Sequence, residues 1–273
     1  MPYAFGAAAG GKTYPQYFIT KSQTWVPPED GNICIHVIGG GGSGAVGTTS
    51  WGAGAAAAYG KIASLAVTTS GSFTLVVGAG GAMRMGIGEG YAGGNSTIAG
   101  TGITGTLTCG GGGGGRTDMY NAETTYNAAG GAVSGSANEG WAGFSGGTGT
   151  VSGGAVGVYA TGATMSAVSY LGAKTDAGPG GILASRYGTI CGGQRGGVWQ
   201  SNQSAEDQSD HIHGEDFCGG GYAYSSVGIN SFSGNGGIAA GGGACRSNNS
   251  SYAGYMRAGT GGHGIILIQY LPG

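Results

Sequence analysis

The residues with the clearest chemical potential are two histidines in an acidic stretch. Residues 206–216 hold five of the twelve acidic side chains and two of the four histidines, His211 and His213. Alternate side chains of an extended segment lie on the same side, so both imidazoles can reach one metal ion. The alternatives are a solvated polar loop whose histidines only titrate, or a loop that contacts a binding partner directly.

Aromatic residues recur in the polar segments between the glycine-rich runs. Tyrosine and tryptophan provide a large, stiff and amphipathic contact area, which suits binding loops. About half of these aromatic residues are expected instead to cover backbone at the ends of glycine-rich segments. We expect exposure and partner contact where Asn, Ser, Asp or Arg lies nearby, which selects Tyr120, Trp199, Tyr222, Tyr224, Tyr252 and Tyr255.

A dinucleotide site is poorly supported, although Gly39, Gly41 and Gly44 follow an apolar strand with the G-x-G-x-x-G spacing. That fingerprint also needs a helix directly afterwards and an acidic residue about 20 positions further on. The residues that follow do not form a helical pattern, and the next acidic residue is Glu89. In a chain this rich in glycine, such spacings arise by chance.

The cysteines do not indicate zinc or a disulfide framework. They are five in number, far apart and never arranged as C-x-x-C, which favours buried free thiols. Their positions are Cys34, Cys109, Cys191, Cys218 and Cys245. With no catalytic arrangement visible, we expect that the protein is not an enzyme and has no cofactor, the metal ion at His211 and His213 being the one exception left open.

Glycine dominates the composition, with 69 of 273 residues, while the net charge is only −2. Low charge together with 15 Tyr and 4 Trp favours an ordered chain. A core with so few large apolar side chains must be held by its backbone, as in bundled extended helices with three residues per turn. The glycine phase shifts, which excludes collagen. The chain has no basic face for nucleic acid and no apolar stretch for membrane insertion.

Strand signals cluster near the two ends of the chain. Period-2 alternation and β-branched residues predict strands at 17–20, 24–26, 33–38, 61–67, 73–77 and 264–270. Turn residues at 68–71 predict a hairpin between the fourth and fifth of these strands. The C-terminal strand should pair with 33–38, because a free apolar strand would be an exposed edge. The one helix candidate, 55–58, is too short to stand alone.

The predicted fold is mostly β and irregular. A small β-sandwich formed by the N- and C-terminal strands is joined to a bundle of glycine-rich, polyglycine II-like extended segments with loops at its ends. We expect a short N-terminal attachment segment, 1–23, and a single glycine-rich domain, 24–273. Within that domain, 24–77 and 259–271 form the strand-rich part, and 78–258 form the bundle with its loops.

Several motifs resemble the glycine-rich domain at the ends of phage tail fibres. They lie at 24–27, 37–42, 59–61, 73–81, 93–97, 109–115 and 261–266. A looser resemblance is to the tail-fibre adhesins of T-even-like phages, in which glycine-rich motifs form a polyglycine sandwich and the loops bind the host receptor. The pair His211 and His213 also resembles fibre proteins in which H-x-H pairs from three chains surround a metal.

The resemblance implies a tail-fibre tip or attachment protein that recognises a host-surface receptor, either a glycan or an outer-membrane protein. The expected partners are that receptor and other virion proteins, with a homotrimer as the expected oligomer. The expected location is the virion, after assembly in the host cytoplasm. One alternative is a structural, fibre-capping virion component without receptor contact. Another is an ice-binding or matrix protein, against which the irregular loops argue.

The metal hypothesis makes a direct prediction. Titration with cobalt or zinc should show binding by the wild-type chain, and the double substitution His211→Ala/His213→Ala should abolish it, because both imidazoles are ligands. Unchanged binding by the double variant would remove the metal hypothesis.

Overall fold

The computed structural model describes residues 14–48, 51–117, 128–143, 145–146, 231–247 and 256–272, together with the backbone of three short strands between 175 and 225. The described residues form strands and irregular extended segments and no helix. The strands are β1 Gln16–Ile19, β2 Gln23–Trp25, β3 Gly31–Ile38, β4 Val46–Gly47, β5 Tyr59–Val67, β6 Phe73–Val76, β7 Ser96–Gly100, β8 Thr106–Cys109, β9 Val133–Ser134, β10 Glu139–Trp141, β11 Thr175–Asp176, β12 Arg195–Gly196, β13 Ala223–Ser225, β14 Ser231–Phe232, β15 Cys245–Ser247, β16 Met256–Arg257 and β17 Ile265–Tyr270.

Two five-stranded antiparallel sheets form the strand-rich part of the molecule. Sheet 1 has the order β1-β17-β3-β5-β10, and sheet 2 has the order β2-β6-β7-β8-β9. The C-terminal strand β17 lies between β1 and β3, with Ile266 opposite Val37. The predicted pairing of the C-terminal strand with 33–38 is therefore confirmed.

The two sheets pack face to face around one apolar core. Ile33, Ile35 and Val37 point into it from sheet 1, as their alternation predicts, and sheet 2 contributes Phe73 and Leu75 among others. The opposite face of sheet 1 carries a second cluster that includes Ile38, Tyr59 and Leu267. Burying apolar area in this way is the main stabilising term for the sheets, at roughly 25 cal/mol per Å².

The predicted hairpin between 61–67 and 73–77 is wrong. The turn itself is present, because the Gly71 amide donates to the Thr68 carbonyl at 2.8 Å. However, β5 pairs with β3 and β10 in sheet 1, while β6 pairs with β2 and β7 in sheet 2. The chain crosses from one sheet to the other here, because the inward side chains of β5 and β6 face each other across the core rather than along a shared ladder.

Beyond β3 the chain continues as an extended segment, 39–46, which we call the central rod. Its amides donate to three neighbouring segments in strict rotation, so that every third residue reaches the same neighbour, with N···O distances of 2.8–3.1 Å. The donor–acceptor pairs are Gly39–Ala58, Gly42–Ala55 and Ala45–Gly52, then Gly40–Gly94, Ser43–Tyr91 and Val46–Gly88, then Gly41–Gly262 and Gly44–Gly259. A period of three is the geometry of a polyglycine II helix.

The carbonyls of the central rod accept from three further segments, again with a period of three. The pairs, donor first, are Gly112–Gly40 and Gly115–Ser43, then Gly242–Gly42 and Cys245–Ala45, then Gly81–Gly41, at 2.8–2.9 Å. The central rod is thus surrounded by six segments. The first three neighbours run antiparallel to it, since their residue numbers fall as its own rise, and the 112–115 and 242–245 segments run parallel to it. The predicted bundle of polyglycine II-like segments is confirmed.

Close approach of backbones is what makes glycine necessary in these segments. A Cβ added to Gly40, Gly41, Gly42 or Gly44 would lie closer than 3.0 Å to a backbone carbonyl of a neighbouring segment. A side-chain tip can move away from such a contact, but the backbone of a packed rod cannot. The alanines at 55–58, which gave the one helix signal, are instead extended and buried.

One serine joins the sandwich to the bundle. The buried Ser96 hydroxyl, at the start of β7, donates to the Ile38 carbonyl at 2.7 Å and accepts from the Gly78 amide at 2.9 Å. The hydroxyl therefore forms hydrogen bonds with backbone groups from both sheets at the point where their strands continue as rods. An unpaired buried polar group at this point would be costly in free energy.

Packing of the central rod leads to a stability prediction. Gly42→Ala should lower the free energy of unfolding by about 3 kcal/mol, because its methyl group must displace backbone. Gly31→Ala is the matched control, since its Cβ would meet only the Tyr270 ring at 3.3 Å, and it should change that free energy by less than about 1 kcal/mol. Denaturant unfolding measures both, and equal effects would contradict the rod packing.

Candidate functional site

The bundle has one end at the sandwich and another, which we call the distal end, where the rods turn back. Contacts among the turning points place them together: Val46 bridges to Gly88, Met85 to Arg257, and Trp51 to Thr117. Two short parallel sheets, β13-β15-β4 and β14-β16, lie at this end as well. The distal end is therefore a single surface assembled from the ends of several rods.

The long insertions of the chain start and finish at the distal end. The segment 118–127 connects Thr117 to Ala128, and the segment 248–255 connects Ser247 to Met256. The longest stretch, 147–230, likewise starts after Gly146, which bridges to Ala128, and ends at β14, which pairs with β16. By contrast, the connections at the far side of the sandwich, between β2 and β3, β5 and β6, β7 and β8, and β9 and β10, are four or five residues long.

The sequence-predicted contact residues fall in or beside these insertions. Tyr120, Trp199, Tyr222, Tyr252 and Tyr255 lie outside the described residues, as do His211 and His213. Tyr224 belongs to β13, which pairs in parallel with β15 so that Tyr224 is opposite Arg246. Since β15 in turn pairs with β4, the backbone at Tyr224 lies at the distal end. Where the other residues sit, and whether they converge, remains a prediction.

An exposed apolar surface that the sequence did not single out lies on the turn 83–91. Met83, Met85 and Tyr91 are 39%, 57% and 48% exposed, and we call them the Met–Tyr patch. Among the described residues, the remaining large apolar side chains with this exposure are Val26 and Val76, both in the sandwich region. Exposed apolar side chains grouped on one turn are typical of an interaction surface.

Tyr91 is held at both its backbone and its side chain. Its carbonyl accepts from the Ser43 amide at 2.9 Å, and its amide donates to the buried Ser43 hydroxyl at 2.7 Å. The Arg84 guanidinium donates to the Tyr91 hydroxyl at 3.1 Å and to the Ile87 carbonyl at 2.9 Å. The guanidinium carbon also lies 5.8 Å from the centroid of the Tyr91 ring, within cation–π range.

Space for the Arg84 side chain depends on Gly88. This residue has φ of +150°, and a Cβ there would overlap the guanidinium group.

A signal for the patch was present in the sequence. Met83-Arg84-Met85 interrupts a segment made otherwise of Gly and Ala, between Gly78 and Ala82 on one side and Gly86 on the other. Its meaning depends on the rod turning back at that point, which composition does not reveal.

A second cluster with chemical potential is buried in sheet 1. His36 Nε2 lies 3.3 Å from Cys34 Sγ, and His36 Nδ1 lies 2.9 Å from the Tyr59 hydroxyl. A Cys–His pair at this distance is the arrangement that activates a nucleophile. Here, however, Cys34 and His36 are buried, and burial raises the pKa of the Cys34 thiol, which favours the unreactive protonated form.

The described residues offer little for a metal or a membrane. They contain no group of three or more His, Cys, Asp or Glu side chains able to share a metal ion. The part of the chain that the structure describes also holds no helix with the length and hydropathy of a membrane span. A metal at His211 and His213 remains a prediction outside this part.

Buried thiols give a prediction about chemical reactivity. Cys34, Cys109 and Cys245 are buried and free, and burial raises the pKa of Cys109 to about 12. Burial keeps the reagent away from all three thiols, and the raised pKa values of Cys34 and Cys109 also keep these two protonated. Iodoacetamide at pH 8 should therefore leave the three cysteines unmodified in the native protein. Mass-spectrometric mapping would detect alkylation, and the same protein in denaturant is the control. Alkylation of native Cys34 would instead reveal an accessible nucleophile.

Comparison with known proteins agrees with the architecture. No curated protein matches the chain. A family model described as a glycine-rich domain matches residues 19–271, a range that contains the strands β2 to β17 and the rods. The chain therefore belongs to the glycine-rich domain family.

Proposed function

We propose that this protein is a phage tail-fibre tip or attachment protein that recognises a receptor on the host surface. The single observation that carries the proposal is the placement of the insertions. Three stretches of varied, aromatic-bearing sequence begin and end at the distal end of the bundle, while the connections at the far side of the sandwich are short turns.

This asymmetry suits recognition for a physical reason. Binding loops work best on a rigid scaffold that holds their ends, because less conformational entropy is then lost on binding. The bundle provides such a scaffold, since its rods are tied by backbone hydrogen bonds on all sides of the central rod. The sandwich, at the other end, is left to face the particle.

The chain would act on the exterior of the virion, after assembly in the host cytoplasm, with other virion proteins bound near the sandwich and a host glycan or outer-membrane protein at the distal end. A homotrimer fits a fibre with threefold symmetry. Neither nucleic acid nor membrane insertion is part of the proposed role, and neither is catalysis.

Competition for adsorption tests the proposal. Host cells saturated with the purified chain should adsorb the cognate phage more slowly, because the chain occupies the receptors. The measurement is the number of free phage left after mixing. Heat-unfolded chain at the same concentration is the control and should not compete.

A purely structural, fibre-capping role gives the opposite result. In that case the folded chain leaves adsorption unchanged even at saturating concentration, while particles that lack the chain assemble defective fibres. Absence of competition would therefore overturn receptor recognition in favour of the structural role.

A further inference from the structure

Resting on the proposed function, we infer that the turn 83–91 is itself a receptor-contact element, and that its partner is a polypeptide surface with apolar side chains beside a lysine or arginine. The Met–Tyr patch and Glu89 are the residues that would make the contact. This assigns a binding role to described residues distinct from the long insertions, and it selects a protein over a glycan as the partner of this element.

Pre-organisation is the first reason. The Tyr91 backbone is bonded twice to Ser43 of the central rod, and Gly90 donates to the Gly115 carbonyl at 2.8 Å. Arg84 holds the Tyr91 hydroxyl, and the backbone around Arg84 is fixed to the 256–258 segment at 2.9–3.0 Å. A contact residue held in this way loses little freedom on binding, which favours affinity.

The second reason is the apolar character of the large side chains that this turn exposes. The Tyr91 hydroxyl accepts from Arg84 Nη1, and Arg84 Nη2 donates to Ile87, while Arg84 Nε is buried and out of reach of a partner. The large exposed side chains are Tyr91 and the two methionines, and neither methionine has a hydrogen-bond donor. Sugar hydroxyls need several donors and acceptors, whereas apolar side chains need none, so this surface fits a polypeptide better than a glycan.

The third reason is charge. Glu89 is exposed on the same turn, and it is the one acidic residue in the sequence between Gly39 and Thr117. Among the described residues the ion pair is Lys61 with Glu139, at the sandwich, so no ion pair within this part of the chain involves Glu89. An exposed carboxylate at the margin of an apolar patch complements a cationic side chain at the margin of the partner.

Binding of labelled full-length chain to host cells tests the inference with matched variants. Met85→Ser/Tyr91→Ser removes two patch side chains, and Val26→Ser/Val76→Ser removes two side chains of similar exposure, 53% and 40%, from the sandwich region. The patch variant should bind about tenfold or more weakly, and the control within about twofold of wild type. Glu89→Lys should bind about fivefold more weakly, mainly through a slower on-rate. Thermal unfolding confirms that each variant is folded.

Treatment of the cells separates the partner classes. Protease digestion of the host surface should abolish binding, and periodate oxidation of glycans should leave it unchanged. Binding lost with periodate but retained after protease would overturn the polypeptide assignment. Wild-type binding together with equal binding by the folded patch variant would overturn the contact role of 83–91 while leaving receptor recognition standing. If the wild-type chain does not bind host cells at all, the proposed function fails first.

Discussion

The rotation of hydrogen bonds around residues 39–46 is the constraint on which the rest of the structure depends. In a helix with three residues per turn, successive amides point in three directions, so one rod donates to three neighbours and accepts from three others. Such a lattice closes only if the backbones approach closely, and a Cβ at Gly41 or Gly42 would prevent that approach. The glycine content therefore follows from the hydrogen-bond geometry, and the loss of backbone freedom that it entails must be offset elsewhere.

The sandwich provides that offset. Its core buries many large apolar side chains, such as Phe73, Ile98 and Leu107, whereas the described part of the bundle buries few, among them Trp51 and Met256. Rods are direct continuations of strands: β3 leads into the central rod, and the rod that ends at Gly264 leads into β17. The register of the sheets thus sets the axial position of each rod. The packed core therefore aligns the hydrogen-bonding groups of neighbouring rods, because glycine has no side chain that could fix this alignment.

These physical differences explain what could be predicted from the sequence. Alternation in β3 and the apolar run of β17 indicated both strands and their pairing, because side-chain pattern carries that information. The turn at 68–71 was recognisable, but turn chemistry is local and does not say whether the next strand joins the same sheet. The neighbours of each rod were also unreadable, since glycines at 39–42 and 110–115 carry no side chain that distinguishes one partner from another. The family match over 19–271 confirms the glycine-rich domain but contains no information about those pairings.

Under the proposed function, the distal end carries two kinds of contact residue. Aromatic residues in the long insertions stand out in the sequence because polar residues surround them. Tyr91 is different, because its exposure results from three features that are far apart in sequence: Ser43 in the central rod, Arg84 across the turn, and Gly88, which leaves room for the guanidinium group. A side chain fixed by the scaffold tolerates little change in position, whereas long insertions can vary in length and sequence without disturbing the rods. Under the proposed function, a distal end that combines both would change its specificity through the insertions while retaining one constant point of contact at the turn.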